Sequence, residues 1–163
     1  MNETYDLLFF LIRGRRCAID VASVREVLAA PAITPVPLVP PLIRGAISFH
    51  GLPLAVLDLG VELMPGSLDS AGVSFDAFSR SAQDYVLIVE AQLADGTFVR
   101  SGLAVERVAR VVTVPADFLR PHTSHTSFVS ATIVDADGPA LLIDVPTALA
   151  TTMKTIRSGR QAA

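Results

Sequence analysis

Apolar residues in this chain come in short, dense runs separated by Gly, Pro and charged residues. Such runs occur at Leu7–Arg13, Cys17–Val21, Gly45–Phe49, Leu52–Leu57, Tyr85–Leu93, Phe98–Val105, Val108–Val114, Val129–Val134 and Ala140–Val145. Some alternate and others are continuous, and their β-branched content and close spacing predict an all-β architecture. The clearest stretch is PPLIRGAISFHGLPLAVLDL, from Pro40 to Leu59. Its first apolar run (Ile43, Ala46, Ile47, Phe49) ends at His50-Gly51, and a second (Leu52, Leu54, Val56, Leu57, Leu59) resumes at once, which predicts a buried hairpin around a Gly-centred turn. Helical spacing is scarce. Val24 and Val27/Leu28 predict a helical turn or two over Ala22–Val27, ended by Pro31, and a short helix is expected around Ala148–Ile156, with a frayed tail at 155–163.

Between Met64 and Asp84 the pattern lapses. The segment MPGSLDSAGVSFDAFSRSAQD is rich in Ser, Gly, Asp and Ala, and predicts a long connection at 64–84, with room for one short helix pinned by Phe75 and Phe78. The stretches on either side of it resemble each other. Ile19, Val21, Val24 and Val27 align with Leu103, Val105, Val108 and Val111 at a spacing of 84 residues, and Ile47 and Asp58 align with Ile133 and Asp144 at 86. This predicts a pseudo-repeat of two small β-units. Their expected extents are about 17–63 with parts of the termini, and about 85–145. A second hairpin, Val129–Asp144 with an Asp137-Gly138 turn, echoes the first.

Composition narrows the function. Of 163 residues, 51% are hydrophobic and 18% charged, which excludes a disordered chain and implies apolar surface for a partner to cover. No apolar stretch approaches the roughly 18 residues that a membrane-spanning helix needs. The first residues, Met-Asn-Glu-Thr-Tyr-Asp, are acidic before the apolar run, the reverse of a secretory signal, so a cytoplasmic location is expected. Cys17 is the only cysteine and is expected to be a small buried residue, consistent with a reducing compartment. A net charge of −3 without a basic block sets nucleic acid aside as a partner.

Candidate chemistry is thin. His122 and His125 have the spacing of a ligand pair, with Asp135 or Asp137 as further donors, but no helix presents them and the Ser/Thr-rich setting predicts an exposed loop rather than a metal site. His50 is expected to be a turn imidazole on a binding surface and not a general base. Asp58 and Asp144 end similar strands and are expected to cap the element that follows. Asp135-Ala-Asp137-Gly138 opens like a calcium loop, yet Pro146 stands at the twelfth position, where that loop needs Glu, so a hairpin turn is expected. Hydrolase, P-loop and dinucleotide motifs are absent, so no catalytic residue, metal or cofactor is expected. The Leu7–Ile12 run and Val111–Val114 are expected to be core strands rather than docking strips, since exposed runs of that length promote edge-to-edge aggregation.

Five blocks in order, spread from Tyr5 to about Ala150, resemble the CheW-like domain family. Leu8–Val21 is similar to the family's opening strand pair with its apolar-Asp-apolar ending, and Val24-Arg-Glu-Val27 to the V-x-E-I that follows. Ile33-Thr-Pro-Val-Pro37 and Pro40-Pro-Leu-Ile-Arg-Gly45 resemble the next two, and Gly102–Val111 the G-L-x-V-D-x-V-x-x-V of the second half. The resemblance implies two five-stranded SH3-like barrels packed side by side, with short helical segments and a groove between them. It implies a single domain over 1–163 that is non-catalytic: an adaptor between the cytoplasmic tip of chemoreceptors (methyl-accepting chemotaxis proteins) and the regulatory domain of a CheA-type histidine kinase. Such an adaptor works at membrane-associated receptor arrays without inserting into the membrane. By position, Val24, Glu26 and Val27 match the part associated with receptor or partner contact, while Arg44, Gly45, His50 and Gly51 fall where barrels meet or the groove is lined. One departure is specific to this chain. Ser48-Phe-His-Gly51 stands where the family commonly has N-L-R-G, exchanging a fixed guanidinium for a titratable imidazole. That exchange keeps open a divergent module of a pilus-motility or other non-flagellar chemosensory pathway that binds a kinase without a receptor, and, independently of the exchange, a β-barrel that binds a small ligand between its lobes stands as a rival reading of another class.

Overall fold

The run Leu7–Ile12 lies within strand β1 (Thr4–Ile12) and lacks alternation because both of its faces are covered. Leu8, Phe10 and Ile12 point into one apolar cluster, and Leu7 and Phe9 into another. The computed structural model describes residues 3–63, 85–122 and 126–161, so the expected connection at 64–84, with Phe75 and Phe78, lies outside the described residues. After β1 come β2 (Arg15–Asp20), a 3-10 turn (Val21–Ser23), β3 (Val24–Ala29), β4 (Ile43–Phe49), β5 (Leu52–Leu57) and a one-turn helix α1 (Gly60–Leu63). Then follow β6 (Tyr85–Gln92), β7 (Phe98–Val105), β8 (Arg107–Pro115), a second 3-10 turn (Ala116–Phe118), β9 (Leu119–Pro121), β10 (Val129–Asp135), β11 (Gly138–Ile143) and helix α2 (Val145–Gln161).

The strands form two sheets, one of six in the order β8-β1-β2-β11-β10-β9 and one of five in the order β3-β6-β7-β5-β4. Most pairs are antiparallel, and one parallel pair closes each sheet, β5 with β7 and β11 with β2. Exchanging β6 for β1, β7 for β2, β3 for β8, β5 for β11 and β4 for β10 turns the second order into the first, apart from β9. The pseudo-repeat is therefore real at the level of strand order, but each lobe mixes the two halves. The six-stranded lobe takes its opening hairpin from the first half and β8, β10 and β11 from the second. The five-stranded lobe does the reverse. This corrects the lobes expected at 17–63 and 85–145: the five-stranded lobe runs from Val24 to Val105 and is inserted into the other, because β5 pairs with β7 across the long connection.

Burial follows the same symmetry. One cluster fills the space shared by the lobes, with Leu8, Phe10 and Ile19 from one sheet and Leu57, Leu87, Val89 and Leu103 from the other. Each lobe also has a small core of its own, Leu7, Phe9, Ala18 and Ile133 in one and Ile47, Val56, Val86 and Ile88 in the other. Strands that serve two cores carry apolar residues at consecutive positions, whereas β3 and β8, covered on one side, carry exposed charges at Arg25, Glu26, Arg107 and Arg110.

Three local expectations change, and one strand is added. Val24–Val27 is strand and not helix: only Val21–Ser23 is helical, with Asp20 capping it through Ala22 N–H at 2.8 Å, and Val24 onward pairs with β6. Cross-strand pairing by β-branched Val24 and Val27 outweighs a weak helical spacing. The short strand β9 has no apolar pattern to announce it and arises by pairing with β10. The final helix begins at Val145 and runs to Gln161, beyond the expected end near Ile156 and into the tail expected to fray, with Ala148 and Leu149 anchored in the shared core. The second hairpin turns at Ala136-Asp137, one residue earlier than expected, because Asp135 pairs with Gly138.

Candidate functional site

Residues 50 and 51 are the two central residues of the tight turn joining β4 to β5, flanked by the Phe49–Leu52 pair. Both have positive φ, 50° at His50 and 78° at Gly51, the geometry of a primed hairpin turn. The turn holds the His50 ring edge-on to Phe49 at 4.3 Å between centroids and directs Nε2 to within 3.8 Å of the Glu26 carboxylate on β3. Around them, Arg100 on β7 lies over the Phe49 ring at 5.6 Å and donates to Glu90 on β6 at 2.6 Å, and Arg25 meets Glu90 at 3.3 Å. The structure thus brings together three of the expected site residues, Glu26, His50 and Gly51, at one end of the five-stranded lobe. Val27 lies beside Glu26 and is 42% exposed, whereas Val24 is half-buried against the shared core.

Arg44 and Gly45 have partners inside the protein. Arg44 lies 3.8 Å from the buried carboxylate of Asp58, which also accepts from Arg13 at 3.0 Å and from the Gly60 N–H at 3.0 Å. Burial holds the Arg44 guanidinium below its usual range, with Asp58 opposing the shift and Arg13 adding to it. Asp58 is therefore the expected cap, here for α1, and also an anchor between Arg13 in the β1–β2 turn and the end of β5. No local pattern signals that second role, since the pair joins residues 45 positions apart. Gly45 lies against the extended segment at Ile33–Thr34: a Cβ built there would lie 2.4 Å from the Thr34 carbonyl oxygen. Only glycine lets this segment bridge to Ala46.

An open apolar groove of about 640 Å³ runs along the outer side of the β4–β5 hairpin. Its walls are the segment Val36–Pro40, the hairpin residues Pro53 and Leu54, and Ile156 of α2. It lies on the five-stranded lobe and not between the lobes, where the resemblance placed a groove. Leu38, fully exposed, stands at its mouth with a positive φ of 61°.

The other candidates resolve into structure. Cys17 is buried, and burial pushes its thiol up to about 12, so it is an inert core residue. His122 Nδ1 is 3.0 Å from Thr132 Oγ1, while His125 lies outside the described residues. Asp135 is gripped by Arg16 through two hydrogen bonds of 2.7 and 2.8 Å, and that pairing holds its carboxyl below the usual range. Asp144 accepts from the Thr147 hydroxyl at the start of α2. Among the described residues no group of three or more His, Cys, Asp or Glu is placed to hold a metal ion, and no helix is long and apolar enough to cross a membrane.

What the geometry offers is surface: a charged hairpin end, an apolar groove and two pseudo-equivalent lobes, the equipment of a docking module. The CheW-like domain model matches residues 6–153, and the chain belongs to that family, whose members are non-catalytic chemotaxis scaffolds. The fold is similar to that of the scaffolding protein TtCheW from Thermoanaerobacter tengcongensis, with a TM-score of 0.65 and 23% identity over 86% of this chain and 89% of that one. No curated protein matches the sequence significantly.

Proposed function

We propose that this chain is a cytoplasmic chemosensory adaptor that couples the helical tip of a chemoreceptor to the regulatory domain of a CheA-type histidine kinase. The open apolar groove carries the reading. An enclosed pocket with converging polar groups would suit a small ligand, whereas an open channel floored by Ile43, Ala46, Leu54 and Ala55 suits the apolar face of an amphipathic helix. The charged hairpin end at Glu26 and His50 lies apart from that floor and supplies a second surface for the kinase. Two modest interfaces on one rigid body place receptor and kinase in a common array, where a small receptor movement changes kinase activity through shared contacts.

Titration of the full chain against a receptor-tip fragment and against the kinase regulatory domain of its own organism tests this. Leu38→Asp is expected to weaken the receptor fragment about tenfold or more and Glu26→Lys the kinase domain by a similar factor, each sparing the other partner. Absence of binding to both partners at about 1 mM, a limit of roughly −4 kcal/mol, overturns the reading.

A further inference from the structure

Four non-glycine residues among those described have positive φ: Arg13, Ala30, Leu38 and His50. Arg13 and His50 each precede a glycine of positive φ as the first central residue of a tight hairpin turn, and Ala30 carries only a methyl group. Leu38, at φ 61°, is different. With Pro37 it forms the centre of a turn and holds the second central position, where a turn that begins with Pro and needs positive φ takes Gly or Asn. A branched side chain is strained there, because its Cβ crowds the following carbonyl oxygen. Packing does not offset that strain, since the side chain is 105% exposed.

The chain nevertheless holds this turn firmly. On one side Thr34 exchanges backbone hydrogen bonds of 2.8 and 2.9 Å with Ala46, an approach that only Gly45 permits. On the other, the Ile43 N–H donates to the Pro40 carbonyl at 2.9 Å. Between these clamps Pro35, Pro37, Pro40 and Pro41 fix their own φ angles. Leu38 is thus an apolar side chain held rigidly in water, in a conformation that lowers stability. It stands at the rim of a groove whose lining carries no charged residue and includes the small residues Gly45, Ala46 and Ala55. Strain retained where folding does not require it points to a contact made with another molecule. Resting on the receptor reading above, we infer that Leu38 is the anchor of that interface. Its side chain is positioned in advance to enter the gap between successive turns of the receptor helix, whose backbone comes close over the small residues. Because the turn is already ordered in the free protein, little freedom is lost on docking, and the anchor carries a large share of the affinity. The helix face it fits is an apolar stripe that carries no charge where it crosses Leu38.

Thermal unfolding of the full chain, and its titration with a receptor-tip fragment from its own organism, test this on one set of variants. Leu38→Gly and Leu38→Asn release the strain and remove the anchor. Both are expected to raise the melting temperature, Leu38→Gly by about 2 °C or more, while weakening the fragment about tenfold or more. Leu38→Met keeps an apolar side chain of similar reach in the same strained turn, so binding within about threefold of the wild type and an unchanged melting temperature are expected. Opposite signs in the two measurements mark an anchor, whereas a residue that serves the fold would lower both when replaced by Gly. Wild-type binding that Leu38→Gly and Leu38→Asn leave within about twofold overturns the anchor and leaves the receptor reading standing. A melting temperature lowered by both of those variants overturns it as well. A wild type that does not bind the fragment at about 1 mM removes the receptor reading and the anchor together.

Discussion

Asp58 is the residue on which most of the local electrostatics converges. Its carboxylate takes Arg13 at 3.0 Å, Arg44 at 3.8 Å and the Gly60 N–H at 3.0 Å, and it is nearly inaccessible to water. Removing one member of a buried ion pair leaves charge without compensation, so Asp58→Asn should cost about 3 kcal/mol, seen as a lower denaturant midpoint. Arg44→Gln should cost less, because it leaves the Arg13 pair and the cap in place. Asp135 differs in kind. Arg16 holds its carboxyl below the usual range, so the stability it lends is complete above the ordinary carboxylate pKa of about 3.9 and is lost as pH falls through the lowered value. Thermal unfolding followed from neutral pH into that acid range should show a shallower loss for Asp135→Asn than for the wild type. Equal slopes would show that the pair contributes nothing to the acid limit.

At the scale of elements, the β4–β5 hairpin shows how a turn can fit its fold while using a less suitable residue. A primed turn favours Asn-Gly, and His50 occupies the first central position at φ 50°. His50→Asn should leave the melting temperature unchanged or raise it, whereas Gly51→Ala, at φ 78°, should lower stability by about 1 kcal/mol or more. The hairpin was legible because Gly-centred turns and β-branched runs are local signals. The break at Val24–Val27 was not, since its strand form depends on pairing with β6, and neither was β9, which has no periodicity of its own. The site was legible in the same uneven way. Position in the chain points to His50 and Glu26, and they do meet, whereas exposure, as at Leu52 and Phe98, is set by how the lobes close. The roles of Arg44 and Gly45 inside the protein depend on contacts with Asp58 and Thr34 that sequence spacing does not encode.

At the scale of the molecule, the exchange of strands between halves binds the two lobes into one folding unit. The five-stranded lobe is continuous from Val24 to Val105, yet Leu57, Leu87, Val89 and Leu103 on its strands contribute to a core completed by Leu8, Phe10 and Ile19 of the other sheet. Opening either lobe exposes that shared core, and burial of large apolar side chains contributes about 1.5–3 kcal/mol each, so a state with one lobe folded lacks the main source of its stability. The chain has no Trp and two Tyr, and the structure places one tyrosine in each sheet, Tyr5 on β1 and Tyr85 on β6. Tyr5→Phe and Tyr85→Phe therefore yield proteins whose remaining tyrosine emission reports on one lobe alone. Urea unfolding of the two should give one midpoint and one slope, coincident with each other and with the far-UV signal, as cooperative unfolding requires. Phe10→Ala, which opens a cavity in the shared core, should cost about 3–5 kcal/mol and move both tyrosine signals together. Separate midpoints would mean that each lobe's own small core suffices to hold it, and that the lobes are joined by packing rather than folded as one.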